Sequence, residues 1–171
     1  IPMKHLILML SALVAVSAGH AQVAVHEKSP KTKYAFTLAS PRQTAAILYD
    51  ASDAAVVKRA AELFAADVEA VTGRYPRVTS AAGETGPAVI VGTVGGSALI
   101  RRLSEAGKID TAPLEGAWER YLIQTVANPL PGIRKALVIA GSDRRGAAYG
   151  LFTLSELIGV SPWYWWADVP V

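Results

Sequence analysis

Two short runs constrain the fold more than any other feature. Ala88-Val89-Ile90-Val91-Gly92 and Ala136-Leu137-Val138-Ile139-Ala140 carry no polar side chain. An extended segment points successive side chains to opposite faces, so a strand that is apolar throughout needs apolar neighbours on both sides. Each run passes into a glycine turn, Gly95-Gly96-Ser97 or Gly141-Ser142-Asp143, and then into a stretch with helical periodicity. Strand, turn and helix, repeated in that order, predict a sheet flanked by helices.

The remaining elements fit around this frame. Residues 34–39 and 45–49 read as short strands. Asp50-Ala51-Ser52-Asp53 supplies helix-capping chemistry, and Val57, Ala60, Ala61, Phe64, Val68 and Val71 follow at spacings of three and four until Gly73. Residues 75–79 form a further strand, which Pro76 consigns to an edge. A helix after Ser97 gives way to a turn-rich loop over 107–116. Residues 118–126 then alternate, with Tyr121, Ile123 and Thr125 on one face and Leu122, Gln124 and Val126 on the other. A prolyl turn over 128–132 returns this strand beside the second apolar run, so the two are expected to pair antiparallel. Ala147, Leu151, Leu154 and Ile158 make one stripe of a last helix, stopped by Gly159. The fold class expected is α/β, a mixed β-sheet flanked by α-helices.

The two ends read differently from this body. Met3 and Lys4 open a short basic region, an apolar run covers 6–16, and Gly19 and Ala21 occupy the small positions of a cleavage site. That pattern is a secretory signal peptide over 1–21, its apolar part too short to span a bilayer. Ile1 and Pro2 precede Met3 and are expected to lie ahead of the natural start. Residues 22–33 form a polar tail, 34–160 the α/β domain, and 161–171 an aromatic linker, Ser-Pro-Trp-Tyr-Trp-Trp-Ala-Asp-Val-Pro-Val. Extended, it would place Trp163 and Trp165 on one face and Tyr164 and Trp166 on the other. So much exposed aromatic surface calls for a cover, and a following domain is the simplest one.

Composition removes several classes of function. Without the leader the chain carries 16 basic and 14 acidic residues, since Lys4 leaves the 17 basic residues of the whole sequence. That balance, with its basic pairs scattered, gives no case for nucleic acid or an anionic membrane. The sequence has no cysteine, and His26 is the one histidine beyond the leader. Triads built on histidine, thiolate catalysis and Cys/His zinc sites are therefore not expected. An exported chain without cysteine suits a periplasm or cell surface.

Both strand–glycine–helix junctions could cradle an anion at a helix N-terminus. Neither Gly92-Thr93-Val94-Gly95-Gly96-Ser97 nor Gly141-Ser142-Asp143-Arg144-Arg145-Gly146 matches a dinucleotide fingerprint or a P-loop. Asp143 would repel a phosphate and is better placed as an N-cap. Gly146 and Gly150 share one helix face and should admit a strand closely. Tyr149 and Glu156 could face a ligand, and a plain helix surface accounts for them equally.

The segments Leu114-Glu115-Gly116-Ala117-Trp118-Glu119-Arg120-Tyr121 and Ala140-Gly141-Ser142-Asp143-Arg144-Arg145-Gly146, with Ala147-Ala148-Tyr149-Gly150 and the run from Ile158 to Pro170, resemble the N-terminal domain of glycoside hydrolase family 115. The D-R-R-G-x-x-Y-G part is common to other glycosidase N-terminal domains; the run ending in Trp-Tyr-Trp-Trp-Ala-Asp-Val-Pro is far more specific. The resemblance implies an accessory domain that precedes a (β/α)₈ barrel. It implies a secreted or periplasmic enzyme removing (4-O-methyl)-glucuronic acid from xylan side chains with inversion. Such an enzyme uses a carboxylic acid and a carboxylate about 6.5–9.5 Å apart. In the family that pair lies on the barrel, so no catalytic residue is assigned here, and no cofactor or metal.

The partners implied are the downstream barrel, glucuronoxylan or aldouronic acids, and a homodimer formed through parts not present. Asp168 and Trp166 are the candidate substrate-binding residues; the plainer role of Asp168 is to cap a turn before Pro170. The alternative from another class is a stand-alone carbohydrate-binding module whose residues 163–166 stack on sugars.

Overall fold

Five strands build one sheet in the computed structural model, which describes residues 23–26, 32–80, 83–163 and 171. The elements run β1 (Ala46–Leu48), α1 (Ala55–Thr72), β2 (Val78–Thr79), β3 (Ala88–Thr93), α2 (Ala98–Glu105), a short 3₁₀ turn (Ala112–Leu114), β4 (Tyr121–Leu130), β5 (Ile133–Gly141) and α3 (Arg144–Leu157). The strand order is β2-β1-β3-β5-β4. β2, β1, β3 and β5 are parallel, and β4 pairs antiparallel with β5, as the short turn between them requires. The chain is thus a mixed α/β sheet flanked by helices.

The two apolar runs became the centre of the sheet. All six residues of β3 are buried. Val89 and Val91 join Ile47 and Ile139 in a core under α1 and α3, while Ile90 joins Leu48 and Val138 in a second core under α2. Each such side chain, fully buried, contributes about 1.5–3 kcal/mol.

α1 buries Val57, Ala60, Ala61, Phe64, Ala65 and Val68. It ends where Gly73, at φ 71°, donates its N–H to the Glu69 carbonyl, a left-handed cap that glycine adopts without strain. Val71 is exposed, against the sequence expectation, because the whole last turn of α1 is solvent-facing.

Other boundaries moved for identifiable reasons. Residues 34–39 form no strand; their one sheet-like contact is the Ala39–Thr44 bridge. β1 already has β2 and β3 on its two sides, so no partner edge remains beside it. The segment instead lays Phe36 and Leu38 against the α1/α3 core, tied down by Thr125 Oγ1 donating to the Tyr34 carbonyl at 2.7 Å and Lys135 Nζ to the Ala35 carbonyl at 3.0 Å.

β4 starts at Tyr121 rather than 118, because Glu119 has φ 56° and breaks the extended backbone. At its other end β4 continues to Leu130 through a register shift after Ala127, where Asn128 has φ 47°. The turn itself is Pro131-Gly132, shorter than the sequence suggested. The loop over 107–116 contains the 3₁₀ turn, which buries Leu114.

No described helix is long and apolar enough to cross a membrane. The leader expected over 1–21 lies outside the described residues.

Candidate functional site at the carboxyl edge of the sheet

In an open parallel sheet the place to look for a ligand is the carboxyl edge, where successive connections leave in opposite directions. Here that point lies between β1, which leads through α1 to β2 on one side, and β3 on the other. It is occupied by the protein's own carboxylates. Asp53 accepts hydrogen bonds from Thr93 N at 2.7 Å and Thr93 Oγ1 at 2.7 Å. Asp50 accepts from Ala98 N at 2.7 Å, in the first turn of α2, and from the Ser52 hydroxyl at 2.7 Å.

Ser97 caps the same helix through Ile100 N. A side chain on Gly96 would run into the Asp53 carboxylate, so the crevice has no spare depth. The positions in which an anion would sit at α2 are filled by internal negative charge, and the first Gly-rich junction is a β–α connection. The capping chemistry read before α1 is spent across the sheet: the N-cap of α1 is Ala54, with no side-chain cap. The Ser52 hydroxyl, followed by the backbone donors of Ser52 and Ala98, holds the Asp50 carboxyl below its usual range despite some burial.

The second junction, β5 to α3, is a clamp. Asp143 is the N-cap, as expected, and one oxygen accepts from Arg145 N at 2.9 Å and Gly146 N at 2.8 Å. Its other oxygen reaches out of the helix to Glu119 N at 2.8 Å. These donors, Glu119 N first, lower the Asp143 pKa. Ser142 holds the next residue from both sides, its hydroxyl accepting from Arg120 N at 3.0 Å and its own N–H donating to the Arg120 carbonyl at 2.8 Å.

A Cβ on Gly146 would collide with that same Arg120 carbonyl, so glycine is what lets the chain lie on the helix. Gly150, one turn on, similarly admits Ile139 and the Tyr121 ring. Arg145 pairs with Glu119 at 2.8 Å and donates to Tyr149 Oη at 3.4 Å, which with the Glu119 charge raises the arginine pKa. The D-R-R-G-x-x-Y-G pattern therefore decodes as a device that fixes how the chain enters β4. It holds Glu119 in the left-handed region, which costs a non-glycine residue roughly 1–2 kcal/mol, and presents the indole of Trp118 at 76% exposure.

Tyr149 sits at 39% exposure and is engaged by Arg145, and Glu156 is exposed near the far end of α3. Contacts between Gly141 and Ala147 and between Ile139 and Gly150 show α3 running back along β5. Trp163, which follows α3, is 66% exposed. Trp166 and Asp168 lie outside the described residues.

A cavity of about 340 Å³ opens on the α2 face, lined by Leu48, Tyr49, Leu99, Arg102, Leu130 and Ile133. Among the described residues no group of three or more His, Asp or Glu side chains could hold a metal ion. Sequence reading missed the part played by Glu119 and Trp118. The partner of Glu119, Asp143, is 24 positions away, and nothing local announces the contact.

Fold and junctions together define a mixed α/β domain whose carboxyl edge is closed by its own side chains. In structure the chain is similar to BtGH115A, a family GH115 4-O-methyl-α-glucuronidase with specificity for decorated arabinogalactans. The TM-score is 0.57 and the identity 32%, over 72% of this chain and 15% of that one. The domain is GH115-related, as its motifs imply. It spans about 15% of that neighbour's length. No family model and no curated protein matches the chain.

Proposed function

We propose that this chain is the N-terminal accessory domain of a secreted or periplasmic glycoside hydrolase that removes (4-O-methyl)-glucuronic acid from a plant polysaccharide, and that it buttresses the catalytic barrel. The observation that carries this reading is the 32% identity, over most of the chain, to a small part of a 4-O-methyl-α-glucuronidase. The closed carboxyl edge supports it: Asp50, Asp53 and Asp143 are committed to backbone donors of their own domain. The acid and the base of the reaction would come from the following barrel, with inversion at the sugar. Xylan side chains are the substrate suggested by the sequence. The solved neighbour prefers decorated arabinogalactans, so the shared chemistry is the uronic acid and the polymer is a matter for assay.

The test compares this chain with the same chain extended by its native downstream sequence, on aldouronic acids and on uronic-acid-decorated arabinogalactan. Release of the uronic acid by the extended protein alone is the expected result. Turnover by the short chain, free of host enzymes, would overturn the assignment of catalysis to the barrel. Sugar binding by the short chain with an inactive extended protein would favour the carbohydrate-binding module.

A further inference from the structure

One face of the sheet is covered by two helices, α1 and α3, and the other by α2 alone. A helix is about 10–12 Å across, whereas four interstrand spacings of about 4.8 Å make this sheet roughly 19 Å wide. α2 buries Ile100 and Leu103, and the loop over 107–116 covers more of that face with Ile109 and Leu114. What remains, over Leu48 of β1, is the cavity of about 340 Å³. Its floor is aliphatic. Leu48 and Ile133 belong to the α2-side core, and Leu99 and Leu130 pack against it.

One wall is fixed by contacts of the domain itself. Glu84 ion-pairs with Arg77. Gly86 donates its N–H to the Gly132 carbonyl at 3.4 Å, and Gly132, at φ 85°, lies so close to the Glu84 carbonyl that a Cβ would collide with it. Three charged side chains line the cavity, Asp50, Glu84 and Arg102. The carboxylates already have partners: Glu84 has Arg77, and both oxygens of Asp50 accept, from Ser52 and from Ala98. Arg102, exposed on the last turn of α2, has no hydrogen-bond or ion-pair partner for its guanidinium among the described residues. The polar capacity left in the cavity is therefore that of a donor, beside an apolar floor.

We propose that this cavity binds a small carboxylic acid with an apolar body, its carboxylate taken by Arg102 and its hydrocarbon laid over Leu48, Leu99, Leu130 and Ile133. Guanidinium and carboxylate share a planar, two-pronged geometry that makes their hydrogen bonds short and directional. A neutral apolar molecule would leave Arg102 without a partner, and a cation would be repelled by it. The volume lies at the small end of the range for ligand pockets, about 300–1,000 Å³, which limits the body to about one ring with a short chain. The site holds whether or not a barrel follows, so it is independent of the enzymatic reading.

The probe is hydrocinnamate, with hydrocinnamyl alcohol as its uncharged counterpart, titrated calorimetrically into the protein extended by its native downstream sequence. Saturable binding of the acid is expected. Arg102→Gln should weaken it about tenfold or more, since it removes a charge-assisted pair. Arg101→Gln, at the neighbouring exposed position, should leave it unchanged. Leu99→Trp, which fills the cavity, should abolish it without altering the circular-dichroism spectrum. No saturation by about 10 mM acid overturns the proposal. So does equal affinity for the alcohol, or an Arg102→Gln protein that binds the acid as tightly as the unmodified one.

Discussion

Asp143 accepts the backbone N–H of Glu119 at 2.8 Å while its other oxygen caps the helix that follows it. One carboxylate thus ties the start of β4 to the start of α3. Asp143→Ala removes a cap and a tertiary tie together. Loss of the cap alone costs about 0.5–2 kcal/mol, and the tie adds to it. The variant should unfold at lower denaturant concentration, with Trp118 fluorescence changing early as the entry to β4 loosens.

Acid should find the same carboxylate. The folded pKa values of Asp143 and Asp50 lie below the usual 3.8. A group with a depressed folded pKa stabilises the protein above its unfolded value, and that contribution disappears as pH falls through the folded one. Melting temperature followed from neutral pH down to about pH 2 should drop below the ordinary carboxylate range. Asp143→Asn, which keeps an acceptor oxygen, should give a shallower fall; a curve parallel to that of the unmodified chain would contradict the assignment.

Asp67 on α1 predicts the opposite slope. Burial raises its pKa, and the neighbouring Ser155 hydroxyl relieves this only in part, being too loosely placed for a regular hydrogen bond. A raised carboxyl binds protons more tightly folded than unfolded, so its contribution improves as pH falls through the folded value towards the unfolded one. Asp67→Asn should therefore raise the melting temperature at neutral pH and lose that advantage in acid.

The two glycines of α3 should be unequal in their tolerance. Gly146→Val drives a side chain into the Arg120 carbonyl, a backbone group fixed by Ser142, whereas Gly150→Val meets side-chain atoms only, the Cγ2 methyl of Ile139 and the Tyr121 ring. Overpacking costs about 1–3 kcal/mol. The first variant should lie at the upper end and the second lower, read as a difference in chemical-denaturation midpoints.

Much of this architecture was open to inspection in the sequence. The apolar runs at Ala88 and Ala136 named the central strands, and Asp143 announced its own cap, because each signal is local and each residue meets it within a few positions. The lost strand at 34–39 was invisible for a different reason: its residues have strand character, but the sheet had no edge to offer beside β1. Asp50 and Asp53 looked like caps for the helix they precede, and serve β3 and α2 instead, 40 or more positions away. Glu119 carried no sign of its left-handed backbone, since what holds it there, Asp143 and Arg145, arrives later in the chain. The family motifs reached further than periodicity because they encode such distant contacts without displaying them.

The clamp at Glu119 and Arg120 also bears on how this part of the chain can change its length. The loop before it is pinned at its beginning as well, by the Ser104 and Thr111 hydroxyls at 2.8 Å. Between those two fixed posts, extra residues placed after Gly116 would bulge outward without shifting the arrival of β4. Doubling a flexible loop adds only about 0.6 kcal/mol of closure entropy. The stretch between Gly116 and Trp118 is thus where the protein can accept an inserted peptide, a tag or a reporter, while the sheet keeps its register.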